Sequence, residues 1–410
     1  MKIAVFHNLP SGGAKRALYN YVDYLNKRGH KIDVYIPETA NEEFLPLENV
    51  CDNLYVFPVQ RTLKGSLYSF YFYPTSRKEI NFEDLEDTQK KIAKTINSKE
   101  YDVVLCEQDH LTMAPFFLKY VDKPTAYYCQ QPPRKEKILK KLNKLTEVKV
   151  NPFKKLIFDL VDKRAAKRDA KTDEDNASYA KYILANSYFS HESILKTYGL
   201  NSHVSYLGID TEIFKPLNLQ KENFVFSVGT CTPSKGYDFI IRSLSLLETE
   251  IRPKLVIVSN ATDNIWANYL QKLANDNHVN IEILNLINDD MLVELYNRAK
   301  LVVFAPYLEP FGLIPIEAMA CGTPVVAVKE GGMRETVIHN ETGLLIERDE
   351  LSFAAGIREL LMNKAKSDEM SKKSIDYVNN FWTVEHAGKR LEKHLNTMIL
   401  EIVTNTNNYH

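Results

Sequence analysis

Cysteine is scarce: five residues in 410, at positions 51, 106, 129, 231 and 321, with no C-x-x-C spacing among them. That pattern excludes a disulfide framework and a thiolate metal cluster, and it reads as reduced thiols in a cytoplasmic protein. Long apolar runs are also missing. No stretch approaches the ~18 consecutive apolar residues of a membrane span, and the opening MKIAVFHNLPSGGAKR enters a strand directly without the apolar core of a signal peptide, so neither is expected. Charge of one sign is not in excess, since the formal net charge is −1, and nothing global argues for nucleic acid as a partner. Two phosphate-binding fingerprints are absent as well. Neither G-x-G-x-x-G nor a glycine-rich loop ending in Gly-Lys-Ser/Thr occurs, which disfavours a nicotinamide dehydrogenase and a P-loop enzyme.

What is present is an ordinary globular composition, 44% hydrophobic and 26% charged, in a chain long enough for two or three domains. The most legible stretch is Leu301 to Gly332. Leu301 to Ala305 is a short apolar run suited to a parallel strand covered on both faces. A polar loop with Glu309 and Gly312 follows, then a short helix with Pro315 at its start and Gly322 at its stop, then a second buried strand from Thr323 to Val328. In such a unit the N-terminus of the helix lies beside the carboxyl end of the first strand. The amides near Phe311, Gly312, Leu313 and Ile314 are therefore expected to form an anion site backed by the helix dipole. Glu309 and Glu317 bracket that site. As carboxylates beside a phosphate cradle they suit hydroxyl groups, although each alone could be an exposed acid or a complement to the dipole.

Strand and helix patterns alternate along the rest of the chain. Lys2 to Phe6, a helix from Ala14 with Leu18, Val22 and Leu25 on one face, and Lys31 to Ile36 form a βαβ opening whose turn carries Gly12 and Gly13, with Arg16 one turn into the helix. Tyr101 to Cys106 is a strand running into Glu107, Gln108, Asp109 and His110. Polar groups at that end of a parallel strand face the ligand crevice, and His110 is a candidate there. Residues 134 to 171 carry 14 Lys or Arg against 5 Asp or Glu with apolar residues interleaved. This reads either as a basic amphipathic helix drawn to an anionic membrane surface or as a solvated helical face. Thr211 to Asn223 has no apolar periodicity and is the best linker, so domains are expected at 1–212 and 213–383, with a last helix from about Val384. Phe224 to Val228 restarts the pattern and leads into the loop Gly229-Thr230-Cys231-Thr232-Pro233-Ser234-Lys235-Gly236, where Lys235 could neutralise charge on a diphosphate.

Glu309-Pro310-Phe311-Gly312-Leu313, with Glu317 eight positions after Glu309 and AMACGTPVVA following, resembles the donor signature of the retaining glycosyltransferases of family 4, the glycosyl transferases group 1. The resemblance implies the glycosyltransferase B fold: an α/β protein of two Rossmann-like β/α/β domains facing across a cleft, the final helix packing back on the first. It also implies roles. Glu309 would contact the donor sugar and Glu317 the nucleotide ribose. Gly12 and Gly13, Gly229 and Thr230, and the backbone from Phe311 to Ile314 would line the phosphates, with Lys235 and Arg16 as cations, Arg16 being otherwise a solvated helix arginine, and His110 as an active-site histidine. Family members often carry arginine where this chain has Thr230, so Lys235 must carry more of the cationic role, or Arg16 or another group supplies it. Pro132-Pro133-Arg134 resembles an acceptor-side loop of lipid-linked mannosyltransferases. The expected activity is transfer of a hexose from a nucleotide-diphosphate sugar, GDP-mannose before UDP-sugars, to a lipid-linked, glycan or polysaccharide hydroxyl, without a metal or other cofactor. An epimerase or phosphorylase on the same fold, and a non-catalytic sugar-nucleotide binder, remain alternatives.

Overall fold

The computed structural model describes residues 1–61, 80–132 and 152–407, with the side chains of 152–162 and 402–407 excluded. It divides into two compact units: one of residues 1–61, 80–132, 152–206 and 387–407, the other of 207–386. The division falls ahead of the boundary expected at 212/213 because the intervening residues are bonded within the second unit. The Ile209 amide donates to the Trp382 carbonyl at 2.8 Å, the Val384 amide donates to the Ile209 carbonyl at 2.9 Å, and Phe214 lies edge-on to Tyr296.

The first unit is built on β1 (Lys2–Asn8), α1 (Gly13–Lys27), β2 (Lys31–Pro37), β3 (Asn53–Phe57), α2 (Phe82–Asn97), β4 (Val103–Asp109), β5 (Thr125–Cys129), α3 (Pro152–Ala177), β6 (Tyr182–Ala185), α4 (Tyr188–Tyr198) and β7 (His203–Val204). Its sheet runs β3-β2-β1-β4-β5-β6-β7, all parallel. Parallel strands covered on both faces read as near-continuous apolar runs, and Ile3 to Phe6 and Val103 to Cys106 are buried throughout. Phe6 stacks on Phe117 at 4.3 Å between ring centroids, and burial of such side chains contributes ~1.5–3 kcal/mol each. The residues from Ala387 onward belong to this unit, where Glu392 meets His30 at 2.8 Å and His394 meets the Tyr182 hydroxyl at 3.0 Å.

The second unit comprises β8 (Glu222–Val228), α5 (Tyr237–Ser245), β9 (Lys254–Ser259), α6 (Asn264–Asp276), β10 (Ile281–Asn285), α7 (Asp289–Arg298), β11 (Ala299–Phe304), α8 (Leu313–Ala320), β12 (Val325–Val328), α9 (Met333–Thr336), β13 (Gly343–Ile346), α10 (Glu350–Met362) and α11 (Lys364–Phe381). The last helix, α12 (Val384–Asn407), begins here. The sheet order is β10-β9-β8-β11-β12-β13, again all parallel. Asn288 caps α7 by accepting from the Met291 amide at 2.9 Å.

In each sheet the strand order reverses beside the unit's first strand, between β1 and β4 and between β8 and β11. A ligand crevice in an open α/β sheet opens at the carboxyl ends of those strands. His110 follows β4, and the loops carrying Lys235 and Glu309 follow β8 and β11.

Candidate active site

The helix after β11 starts two residues before Pro315. Gly312 is its N-cap, in the left-handed region at φ 102°, and Leu313, Ile314 and Pro315 form the first turn. A side chain at Gly312 would be strained by that backbone, which explains glycine there. Proline at the third position removes an N–H that has no intrahelical partner in any case, so the helix loses nothing. The amides of Leu313 and Ile314 remain in that first turn as donors for an anion. Phe311 is a core residue, buried and edge-on to Trp382 with centroids 5.5 Å apart, so it anchors the loop.

Glu309 and Lys235 are brought together. Lys235 Nζ donates to Glu309 Oε2 at 2.9 Å, and each side chain keeps about a fifth of its surface exposed (21% and 20%). A charge-assisted contact at that exposure holds both groups without sealing them from a ligand. Gly236, directly after Lys235, has φ 69°, and a Cβ there would lie 2.1 Å from the Ala305 carbonyl oxygen, so only glycine lets the two loops meet. Tyr237 reaches back to donate to the Gly229 carbonyl at 3.0 Å. Thr230, where the family pattern often has arginine, lies 3.4 Å from Thr232, which lies 3.0 Å from Ser234, hydroxyl to hydroxyl.

Glu317 is 5% exposed and accepts from the Tyr296 hydroxyl at 2.7 Å. Tyr296 was not read as a site residue. The signal available is its position on α7, whose buried face it shares with Val293 and Asn297.

At the carboxyl ends of β1 and β4 the first unit gathers more charge than the sequence reading assigned. His110 is exposed, and its Nδ1 lies 2.9 Å from the Asn8 carbonyl oxygen. A carbonyl only accepts, so Nδ1 carries the proton and Nε2 of the neutral ring is left as an acceptor. Behind it Asp109 is fully buried and accepts from Asn8 Nδ2 at 2.8 Å, Gln89 Nε2 at 2.6 Å and the Leu111 amide at 2.7 Å. Glu107 is fully buried too; Gln130 Nε2 donates to both of its oxygens, at 3.0 and 2.9 Å, and burial pushes its carboxyl up to about 8.

Gly12 and Gly13 open α1, with Gly12 as N-cap. The cation buried behind them is Lys15, while Arg16 extends over the Phe44 ring at 5.3 Å. Lys15 Nζ is ion-paired with Glu42 and lies 3.5 Å from His7 Nε2; Glu42 lies 3.2 Å from His7 and also accepts from the Leu47 amide at 2.7 Å. Burial lowers His7 to about 4, so its ring is neutral at pH 7. The sequence held a trace of this: Lys15 precedes Leu18 by three positions and so lies on the apolar stripe Leu18, Val22, Leu25.

The expected acceptor loop at Pro133 and Arg134, and the basic stretch as far as 162, lie outside the described residues and side chains. From 163 onward Lys163, Arg164, Lys167 and Lys171 are exposed, while Asp173 is buried and accepts from the Ala114 amide and the Tyr198 hydroxyl, both at 2.8 Å. Among the described residues no group of three His, Cys, Asp or Glu side chains is arranged to hold a metal ion.

Known proteins resemble the chain. The family model for glycosyl transferases group 1 matches residues 209–377. An uncharacterized glycosyltransferase of Methanocaldococcus jannaschii is 32% identical over 169 residues, 38% of this chain and 43% of its own length. The GDP-Man:Man(3)GlcNAc(2)-PP-Dol alpha-1,2-mannosyltransferase of Dictyostelium discoideum is 26% identical over 255 residues, 56% of this chain and 50% of its own. The chain thus spans half or less of the length of these relatives. Among solved structures, Anabaena HepE in complex with UDP and glucose superposes with a TM-score of 0.72 at 19% identity, over 97% of this chain and 99% of that one, a likeness of fold. The match to the glycosyl transferases group 1 thus covers residues 209–377, and the two parallel α/β units have the glycosyltransferase B fold.

Proposed function

We propose that the protein is a retaining glycosyltransferase that moves a hexose from a nucleotide-diphosphate sugar to a hydroxyl of a lipid-linked, glycan or polysaccharide acceptor. The observation that carries this reading is the Lys235–Glu309 pair, 2.9 Å apart and part-exposed, beside the Gly312-capped helix and the buried Glu317. In the donor complex Lys235 exchanges part of its contact with Glu309 for a phosphate oxygen. The amides of Leu313 and Ile314 take further phosphate oxygens, and Glu309 accepts from a sugar hydroxyl. Glu317, held by Tyr296, accepts from the ribose. Stabilising the departing diphosphate is then the main catalytic contribution, supplied by donors that are already in place once the donor is bound. Cationic assistance is assigned to Lys235 and the backbone, so chelators leave the rate unchanged. In the first unit, the unprotonated Nε2 of His110 accepts from a sugar or acceptor hydroxyl.

GDP-mannose is the first donor to test, supported by the mannosyltransferase named among the relatives, and UDP-sugars are next, supported by the UDP complex of the HepE structure. Protein incubated with each donor and an acceptor panel is assayed for nucleoside diphosphate release. Release unchanged by Glu309→Ala and Glu317→Gln would defeat the assignment. A cytoplasmic protein resting on an anionic membrane through residues 134–171 is the accompanying reading, supported by the exposed cations from Lys163 to Lys171 and by the lack, among the described residues, of any helix long and apolar enough to cross a membrane. Flotation with phosphatidylglycerol liposomes but not with neutral ones is expected; no flotation with either would leave the segment a solvated face.

A further inference from the structure

Arg348 lies after β13, remote in sequence from Lys235 and Glu309, yet its guanidinium meets acceptors on both sides of their contact. Its Nε and Nη2 donate to the two carboxylate oxygens of Glu330 at 2.6 and 2.9 Å, Nη1 donates to the Ala305 carbonyl at 2.9 Å, and Nη2 to the Pro306 carbonyl at 2.7 Å. The guanidinium also lies over the Tyr307 ring, 3.8 Å from its centroid. Ala305 and Pro306 begin the loop that leads to Glu309. The Ala305 carbonyl is the same atom against which Gly236, the neighbour of Lys235, is pressed, and Arg348 Nη1 lies 3.4 Å from where a Gly236 Cβ would stand. The loops are joined again one residue on, where the Tyr307 amide donates to the Ser234 carbonyl at 2.8 Å. On the far side Glu330 precedes Gly331 and Gly332, and the Gly332 amide donates to the Glu309 carbonyl at 2.8 Å.

We propose that Arg348 is a positioning residue that sets the separation of Lys235 and Glu309. A planar guanidinium spans the Glu330 carboxylate and two successive carbonyls at once; an ammonium at the same place cannot. With Arg348 in place, the end of β11, the turn after Lys235 and the loop of Glu309 form one rigid frame. Without it the Ala305 and Pro306 carbonyls lose this donor, and the two loops rely on the Tyr307–Ser234 bond and the Lys235–Glu309 pair itself. The kinetic consequence rests on the proposed donor roles of Lys235 and Glu309, whereas the structural consequence does not.

The test reads Lys235 directly. Amine acetylation of the full chain, followed by mass spectrometry, gives the labelling rate of Lys235, with Lys300 as an internal reference. In Arg348→Ala and in Arg348→Lys, Lys235 is expected to label about two- to fivefold faster as its pair with Glu309 loosens. Added methylguanidinium is expected to return the alanine variant towards the parental rate but not the lysine variant. Nucleoside diphosphate release falls at least about tenfold in kcat, with a smaller change in donor KM, because misplaced groups cost the transition state most. Unchanged Lys235 labelling in a folded Arg348→Lys variant overturns the proposal. Should Arg348→Ala fail to fold, Glu330→Gln, which weakens the frame from its other side, is read the same way, and unchanged labelling there also overturns it. If the parental protein releases no nucleoside diphosphate from any donor, the proposed function fails while the labelling result still decides the role of Arg348.

Discussion

The two units place titratable side chains at the same topological address and treat them in opposite ways. At the reversal of the first sheet His7, Lys15, Glu107 and Asp109 are all buried, held by the side-chain amides of Asn8, Gln89 and Gln130, by loop amides and by Glu42, which is itself one fifth exposed. At the reversal of the second, Lys235 and Glu309 pair at the surface, with only Glu317 drawn inside. A buried ion pair carries a desolvation penalty that its own attraction barely offsets, so the first arrangement holds only if every group is matched. It fixes loops: Glu42 ties the segment at Leu47 to α1, and Asp109 ties the turn at Leu111 to Asn8. The second arrangement stays hydrated enough for one partner to be exchanged for a ligand atom. The same scaffold therefore holds a buried polar cluster in one unit and a part-exposed ion pair in the other.

The contrast breaks most visibly at Lys15. Lys15 is itself fully buried, and Lys15→Met leaves Glu42, one fifth exposed, without its cation; it is expected to lower the stability of the first unit by about 1.5–3 kcal/mol, read as an earlier urea transition. Lys235→Met should leave that transition in place, since its pair is part-exposed. Next in size is chemistry. Glu309→Ala is expected to reduce nucleoside diphosphate release by about a hundredfold or more, with the urea midpoint little changed. An equal loss of stability in both variants would erase the distinction between the units.

A pH series sharpens it further. Burial holds the Glu107 carboxyl at about 8 in the folded chain, above its unfolded value near 4.5. A raised carboxyl favours folding fully below the unfolded value, and that contribution is lost as pH rises from there through about 8. Glu107→Gln does not titrate, so its stability relative to the parent should rise by at least ~1 kcal/mol between pH 5 and pH 8; a constant difference would show that Glu107 is charged when folded. Tyr296→Phe removes the hydroxyl that holds Glu317 and should weaken donor binding about tenfold by calorimetry. Smallest is Asn288→Ala, which deletes the cap of α7 and should cost about 1 kcal/mol without touching the kinetics of either unit.

Much of this was legible in the sequence because buried parallel strands are written as continuous apolar runs. The strand expected at Phe224 to Val228 ends where β8 ends, and Leu301 to Val328 gave the strand, loop, helix and strand in order. The start of α8 was misplaced by two residues because proline is tolerated through the first turn and not only at its first position. β3 and α2 were missed; β3 is a half-buried strand at the sheet edge, where one face is solvated and the apolar run is interrupted.

By itself, then, the sequence determined two alternating α/β units, the strand ends that carry polar groups, and the identity of Glu309, Glu317, Lys235 and His110 as candidates. Local patterning encodes these because strand burial, turn chemistry and helix limits depend on neighbours in the chain. Tertiary structure alone decided that Lys235 pairs with Glu309 across 74 positions, that Tyr296 holds Glu317, and that Arg348 braces both loops. It also decided that Lys15, not Arg16, is the buried cation of α1. Such pairings are made by packing between segments far apart in sequence, and no periodicity records which distant acceptor a side chain will meet.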